Sequence, residues 1–76
     1  MYRVEYGFAE NFTEVDEWQT LEGFDKIEAE NAEEAAKEAA CTDGLEDALF
    51  RVFELTKNEF GGYDPVDAHN PDYFEF

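Results

Sequence analysis

Asp64, Asp67, His69 and Asp72, within the stretch DPVDAHNPD, are the one cluster of residue types able to ligate a metal. Oxygen and imidazole ligands of this kind suit a divalent cation. The spacing does not fit an EF-hand loop, which needs glycine at its sixth position and a bidentate glutamate at its twelfth. With 21 Asp and Glu in 76 residues, carboxylates beside the single histidine arise by chance, and the cluster reads as a solvated, turn-rich loop. Nucleophiles are scarce. The chain has no serine, and its one cysteine, Cys41, closes an alanine-rich segment and reads as a small packing residue. Carboxylate pairs for general acid–base work are so abundant that none is singled out. Gly61-Gly62 lacks both a following helix and a nearby lysine, so it is no phosphate cradle. The expectation is a protein with no catalytic residues, no metal and no cofactor, and so not an enzyme.

Charge dominates what is left. Five Lys and Arg oppose the acids, giving a formal charge of −16 and a pI near 4.1. Direct binding of nucleic acid is disfavoured, because phosphates repel such a chain. High charge by itself favours disorder, but eight Phe, four Tyr and one Trp supply enough apolar area for a small core. At this length one domain over residues 1–76 is expected, with a sheet-and-helix core over 1–60 and a Gly/Pro-punctuated acidic tail over 61–76. A single cysteine forms no internal disulfide. The chain shows no signal-peptide pattern and no apolar run of membrane-spanning length, so a cytoplasmic protein without membrane contact is expected.

The elements that hold these charges follow from periodicity. Tyr2 to Ala9 alternates Tyr2, Val4, Tyr6 and Phe8 against Arg3, Glu5 and Gly7, the pattern of a half-buried strand. Glu10 to Glu17 is an acidic loop or a single helical turn begun by Thr13. A second strand runs from Trp18 or Phe24 to Ala29, with Ile27 and Ala29 inward and Gly23 marking a bulge or bend. Asn31 caps a helix, with Glu34 placed for a capping box. Ala32, Ala35, Ala36, Ala39 and Ala40 form its buried stripe, and Gly44 its left-handed end. Leu45 to Leu49 turns into a third strand, Phe50 to Thr56, apolar on both faces. Lys57-Asn58 opens a hairpin towards Phe60 and Tyr63, and the tail closes with Tyr73, Phe74 and Phe76 docked or paired as an edge strand. The fold expected is α+β, a small antiparallel sheet of three to five strands with one helix packed on one face, in ββαββ order.

A protein polyanion can use the free energy that DNA-binding proteins gain from displaced counterions. Carboxylates on alternate strand positions lie ~6.6 Å apart and those one helical turn apart lie ~5–6 Å apart, comparable with successive phosphates. The candidate partner-binding residues are the first-loop acids Glu10, Glu14, Asp16 and Glu17 and the helix-face acids Glu30, Glu33, Glu34 and Glu38. Aromatic side chains on the uncovered sheet face would imitate stacked bases or fill apolar pockets.

In this layout, two strands, an ENAEEAAKEA helix and further strands on a strongly acidic chain, the sequence resembles small phage and mobile-element proteins. Among these are DNA-mimicking anti-CRISPR and anti-restriction inhibitors. The resemblance lies in layout and charge over most of the chain and carries over no functional residue. It implies stoichiometric inhibition of a host nuclease or a CRISPR surveillance complex in the host cytoplasm. The partner would be a basic nucleic-acid-binding protein or complex, a Cas complex among them, met by a monomer or weak homodimer. Three other readings stand beside it: acidity serving solubility, adaptation to high salt, and an adaptor or antitoxin-like module that binds a basic protein without mimicking DNA.

Overall fold

The computed structural model describes all residues, 1–76. It is α+β: one helix packs on a small, curled antiparallel sheet. The strands are β1 (Tyr2–Gly7), β2 (Gln19–Thr20), β3 (Leu49–Lys57), β4 (Tyr63–Pro65) and β5 (Asp72–Glu75), and the helix α1 is Ala32–Ala40. The element order is therefore ββαβββ, one strand more than the ββαββ expected. The tail supplies both β4 and β5, which share the outer edge of β3. Leu55 to Lys57 pair with β4, and Leu49 to Val52 pair with β5.

β2 and β3 both run antiparallel to β1 and flank it. They are thus parallel to each other, and parallel strands need a long crossover, here supplied by α1. Beyond Thr20 the second strand bulges at a turn through Glu22 and Gly23: the Leu21 N–H donates to the Val4 carbonyl, the Val4 N–H donates to the Phe24 carbonyl across the turn, and Ile27 then exchanges both backbone hydrogen bonds with Tyr2. The bend expected at Gly23 is there, with Gly23 at φ +87°, but the regular strand is shorter than the span expected to end at Ala29 and covers only Gln19–Thr20. A second correction concerns the first loop. Its helical turn is a 3-10 turn, Phe12–Glu14, capped by Asn11 rather than begun by Thr13, and the Asn11 Oδ1 accepts the N–H groups of Thr13 and Glu14.

The alternation of β1 puts Tyr2, Val4 and Tyr6 beneath the helix, opposite Phe50 and Val52 of β3. Ala35, Ala36 and Ala39 are fully buried there, with Ala32 and Ala40 at the margin. Alanine adds little area of its own but lets the helix backbone approach closely while the sheet's larger residues fill the space. Asn31 Oδ1 accepts the Glu34 N–H at 2.9 Å, as expected of the cap. The Glu34 carboxylate turns to Lys37 instead of closing a capping box. Gly44, at φ +88°, reverses the chain after the helix.

The second face of the sheet is not open. Leu49, Phe53 and Leu55 are buried on it. The 8–18 loop folds across this face: Phe12 and Trp18 pack on Tyr73, with ring centroids 5.2 and 6.0 Å apart. Arg51 lies between the Trp18 and Phe53 rings, 4.8 and 5.2 Å from their centroids, and bonds through Nε and Nη2 to Glu5 Oε1. The aromatic face expected to meet a partner is consumed in anchoring the loop.

Candidate functional site: an acidic pole

The register defines two ends of the molecule, whose longest dimension is 38 Å. At one end Gly7 pairs with Leu49, and Leu49 with Glu75. The loop leaving β1 (8–18) and the loop entering β3 (41–48) both belong to this end. Neither contains a lysine or arginine. The first carries Glu10, Glu14, Asp16 and Glu17, and the second carries Asp43, Glu46 and Asp47; with Glu75 all are exposed. The structure therefore assembles an acid-only pole from segments distant in sequence.

Cations lie elsewhere. Lys26 stands beside Ile27 at the opposite end, its Nζ 5.0 Å from the centre of the Tyr63 ring, and Lys57 ends β3 there. Arg3 donates to the Asp25 carbonyl, and Arg51 is held by Glu5. Lys37 sits on the helix between Glu33 and Glu34, at 3.6 and 3.7 Å. Only Glu5, Glu33 and Glu34 form ion pairs; the remaining acids face water without a base.

The eight acids singled out from sequence are all exposed but do not form one surface. Glu10, Glu14, Asp16 and Glu17 belong to the pole. The helix begins after Ile27, which bridges Tyr2, and ends before Leu49, which pairs with Gly7, so it runs back along the sheet towards the pole. Glu30, Glu33 and Glu34 therefore lie towards the far end, two of them partly neutralised by Lys37, and Glu38 alone stands on the helical turn nearest the pole. Asp43, Glu46, Asp47 and Glu75 are the pole residues missed in the sequence. The signal available for the first three was the cation-free run from Glu38 to Phe50.

Apolar rings border the pole. Tyr6, Phe50 and Phe74 are cross-strand neighbours in one row, Tyr6 opposite Phe50 and Phe50 opposite Phe74. One step beyond the last paired residues come Phe8 and Phe76, which are 57% and 54% exposed. Phe8 meets Tyr6 edge-on at 5.9 Å, and Phe76 stacks parallel to Phe74 at 6.2 Å.

The DPVDAHNPD segment serves its own loop. No group of three or more potential ligands converges on a point. Asp67 accepts the His69 N–H through Oδ1 and the Asn70 side-chain amide through Oδ2. These bonds, the Asn70 amide foremost, hold its carboxyl below the usual carboxylate range. Cys41, expected to pack inward, is exposed at the helix C-cap; the stripe ends at Ala40 as the chain turns away. Phe60, expected to follow the hairpin into a strand, stands at its tip instead, 89% exposed. There the Asn58 Oδ1 accepts the N–H groups of Phe60 and Gly62 and fixes the turn before β4 starts. The surface has no cavity, and no helix is long and apolar enough to cross a membrane.

No protein-family model, curated protein or solved structure matches the chain.

Unpaired acids on so small a body repel one another. At ~0.01 M salt the screening length of ~30 Å approaches the molecule's own dimensions, whereas at ~0.15 M it is ~8 Å. Thermal unfolding is therefore expected several degrees higher at ~0.15 M NaCl than at ~0.01 M, the chain remaining folded at both. A melting temperature independent of salt would show the acids too widely spaced to interact. Unfolding at ~0.01 M salt would instead mark adaptation to molar salt.

Proposed function

We propose that the protein is a non-enzymatic anionic decoy. It seats its acidic pole in the basic groove of a host nucleic-acid-binding complex, of the CRISPR-surveillance or restriction type, and keeps DNA out. The observation that carries this reading is the placement of the cations: the loops at the Gly7–Leu49 end carry exposed acids and no lysine or arginine, while Lys26 and Lys57 stand at the other end, among further acids. A basic groove binds DNA largely by displacing counterions, and a fixed patch of carboxylates offers it the same exchange. The likeness in layout and charge to small phage inhibitors supports the class of target.

Competition tests the reading. The protein is immobilised, a host lysate is passed over it at ~0.15 M salt, and the recovered partner is titrated with duplex DNA. The expected partner is a basic nucleic-acid-binding protein from which this protein and DNA displace one another. Changing Glu10, Glu14, Asp16 and Glu17 to Gln one after another is expected to weaken binding in steps and to flatten its salt dependence, because each neutralised contact removes counterion exchange. A partner that keeps its DNA affinity in the complex would make the protein an adaptor. Loss of function from one carboxylate alone would indicate an enzyme.

A further inference from the structure

The pole is more than a patch of charge. One step beyond the paired ends of three adjacent strands lie Phe8, Ala48 and Phe76, in that spatial order, by the registers that pair Gly7 with Leu49 and Leu49 with Glu75. Ala48 is buried, while the rings on either side of it are more than half exposed. The exposed acids Glu46 and Asp47 lead directly into Ala48. Two open aromatic rings thus flank an acidic turn.

Neither ring needs this exposure for folding. Tyr6, Phe50 and Phe74 already fill the row beneath the helix, and Phe8 and Phe76 lean on its two ends. A second copy meeting it pole to pole is a poor occupant, since it would bring another set of acids against this one, and the far end of the chain offers two lysines but no unengaged arginine. Charge complementarity selects a cation. Among cations, arginine gains most, because its planar guanidinium stacks on a ring while donating to a carboxylate, whereas lysine offers a compact, strongly hydrated charge. The chain itself contains this arrangement: Arg51 lies on Trp18 and Phe53 and bonds to Glu5.

We infer that the Phe8–Phe76 ledge with the Glu46-Asp47 turn is an arginine-binding surface, taking one or more arginine side chains from a basic protein partner. The inference rests on the decoy reading for its biological setting, but its chemistry is tested without the natural partner.

The probes are deca-arginine and deca-lysine peptides of equal charge, titrated at ~0.15 M NaCl with the Trp18 signal and backbone amide shifts as readouts. Deca-arginine is expected to bind at least about three-fold more tightly, the scale of one or two cation–π contacts. The largest amide shifts are expected at residues 8, 46–48 and 76. The Phe8→Ser/Phe76→Ser variant, checked for folding by its amide spectrum, is expected to bind both peptides equally while keeping the salt dependence of the parent. Glu46→Gln/Asp47→Asn is expected to weaken both peptides. Equal affinity of the parent for the two peptides, or an arginine preference that survives loss of both rings, would overturn the inference. These outcomes are separate from DNA competition: a ledge that prefers arginine can exist in a protein that displaces no DNA, and a decoy can bind through charge alone.

Discussion

Phe50→Ala is expected to cost about 3–5 kcal/mol, the range for truncating a buried phenylalanine. Phe50 is 1% exposed and the largest of the fully buried side chains. It stands at the middle of the row formed with Tyr6 and Phe74, under the alanine stripe of α1. The usual relief for such a truncation is inward movement of neighbours. The helix side offers only the methyl groups of its alanines, so filling the space falls to the neighbouring rings, Tyr6, Phe74 and Phe76, which are already packed on one another or on the sheet. At ~0.05–0.15 kcal/mol per residue a domain of this length has about 4–11 kcal/mol in total, so the loss is a large fraction of it. Urea unfolding followed by far-UV circular dichroism and Trp18 fluorescence measures it. A loss below ~1 kcal/mol would show that the helix settles into the vacated volume.

The same residues explain which parts of the fold were legible. β1 and α1 announce themselves because each puts its large apolar side chains on a single face, and such a face writes its period into the sequence. Tyr2, Val4 and Tyr6 do so at period two, and the five alanines at the helical period. The apolar character of β3 on both faces correctly marked a central strand, since both of its faces are covered. The second strand misled because its periodicity is interrupted. Only two residues pair before the Glu22-Gly23 turn, and the apolar Phe24 and Ile27 return to the core beyond it. β4 lies in a stretch punctuated by Gly61, Gly62 and Pro65. The hairpin expected from Lys57-Asn58 towards Tyr63 is present, but it pairs through only three residues on an edge, so turn chemistry outweighs strand pattern and Phe60 falls in the turn.

Charge was legible in amount but not in arrangement. The loop acids Glu10, Glu14, Asp16 and Glu17 and the helix acids Glu30, Glu33 and Glu34 look equivalent in sequence, and only the strand register puts the two groups at different ends. That register also recruits Asp43, Glu46, Asp47 and Glu75. The open aromatic face was misjudged for a related reason. Nothing local in ENFTEVDEW says that Phe12, Val15 and Trp18 fold back over the sheet. The polar composition of the loop concealed its anchors, and two of their partners, Arg51 and Tyr73, are remote along the chain.

Gly7→Val tests whether that anchoring matters to function, because it changes the loop's position without touching a charge. Gly7 is buried at the end of β1, and a β-carbon added there would overlap Val15 Cγ1 and approach the Glu17 carbonyl oxygen to 3.4 Å. Valine is stiff at χ1, so Val15 cannot swing aside without moving its backbone. Overpacking of this kind costs about 1–3 kcal/mol, and the least resistant element is the loop itself, which is held by side-chain packing and has no strand partner between Phe8 and Trp18. The expected variant keeps its core, loses the Trp18–Tyr73 and Trp18–Arg51 contacts, and reports this as a change in Trp18 fluorescence. Pairing it with Val15→Ala is expected to restore part of the stability, as the overlapping methyl groups are then gone. If the decoy depends on carboxylates held at fixed positions, the variant binds its basic partner about ten-fold more weakly at unchanged net charge, because ordering a released loop at each encounter opposes binding. If affinity is unchanged while Trp18 reports a displaced loop, total charge alone suffices, and the fixed pole has no part in recognition.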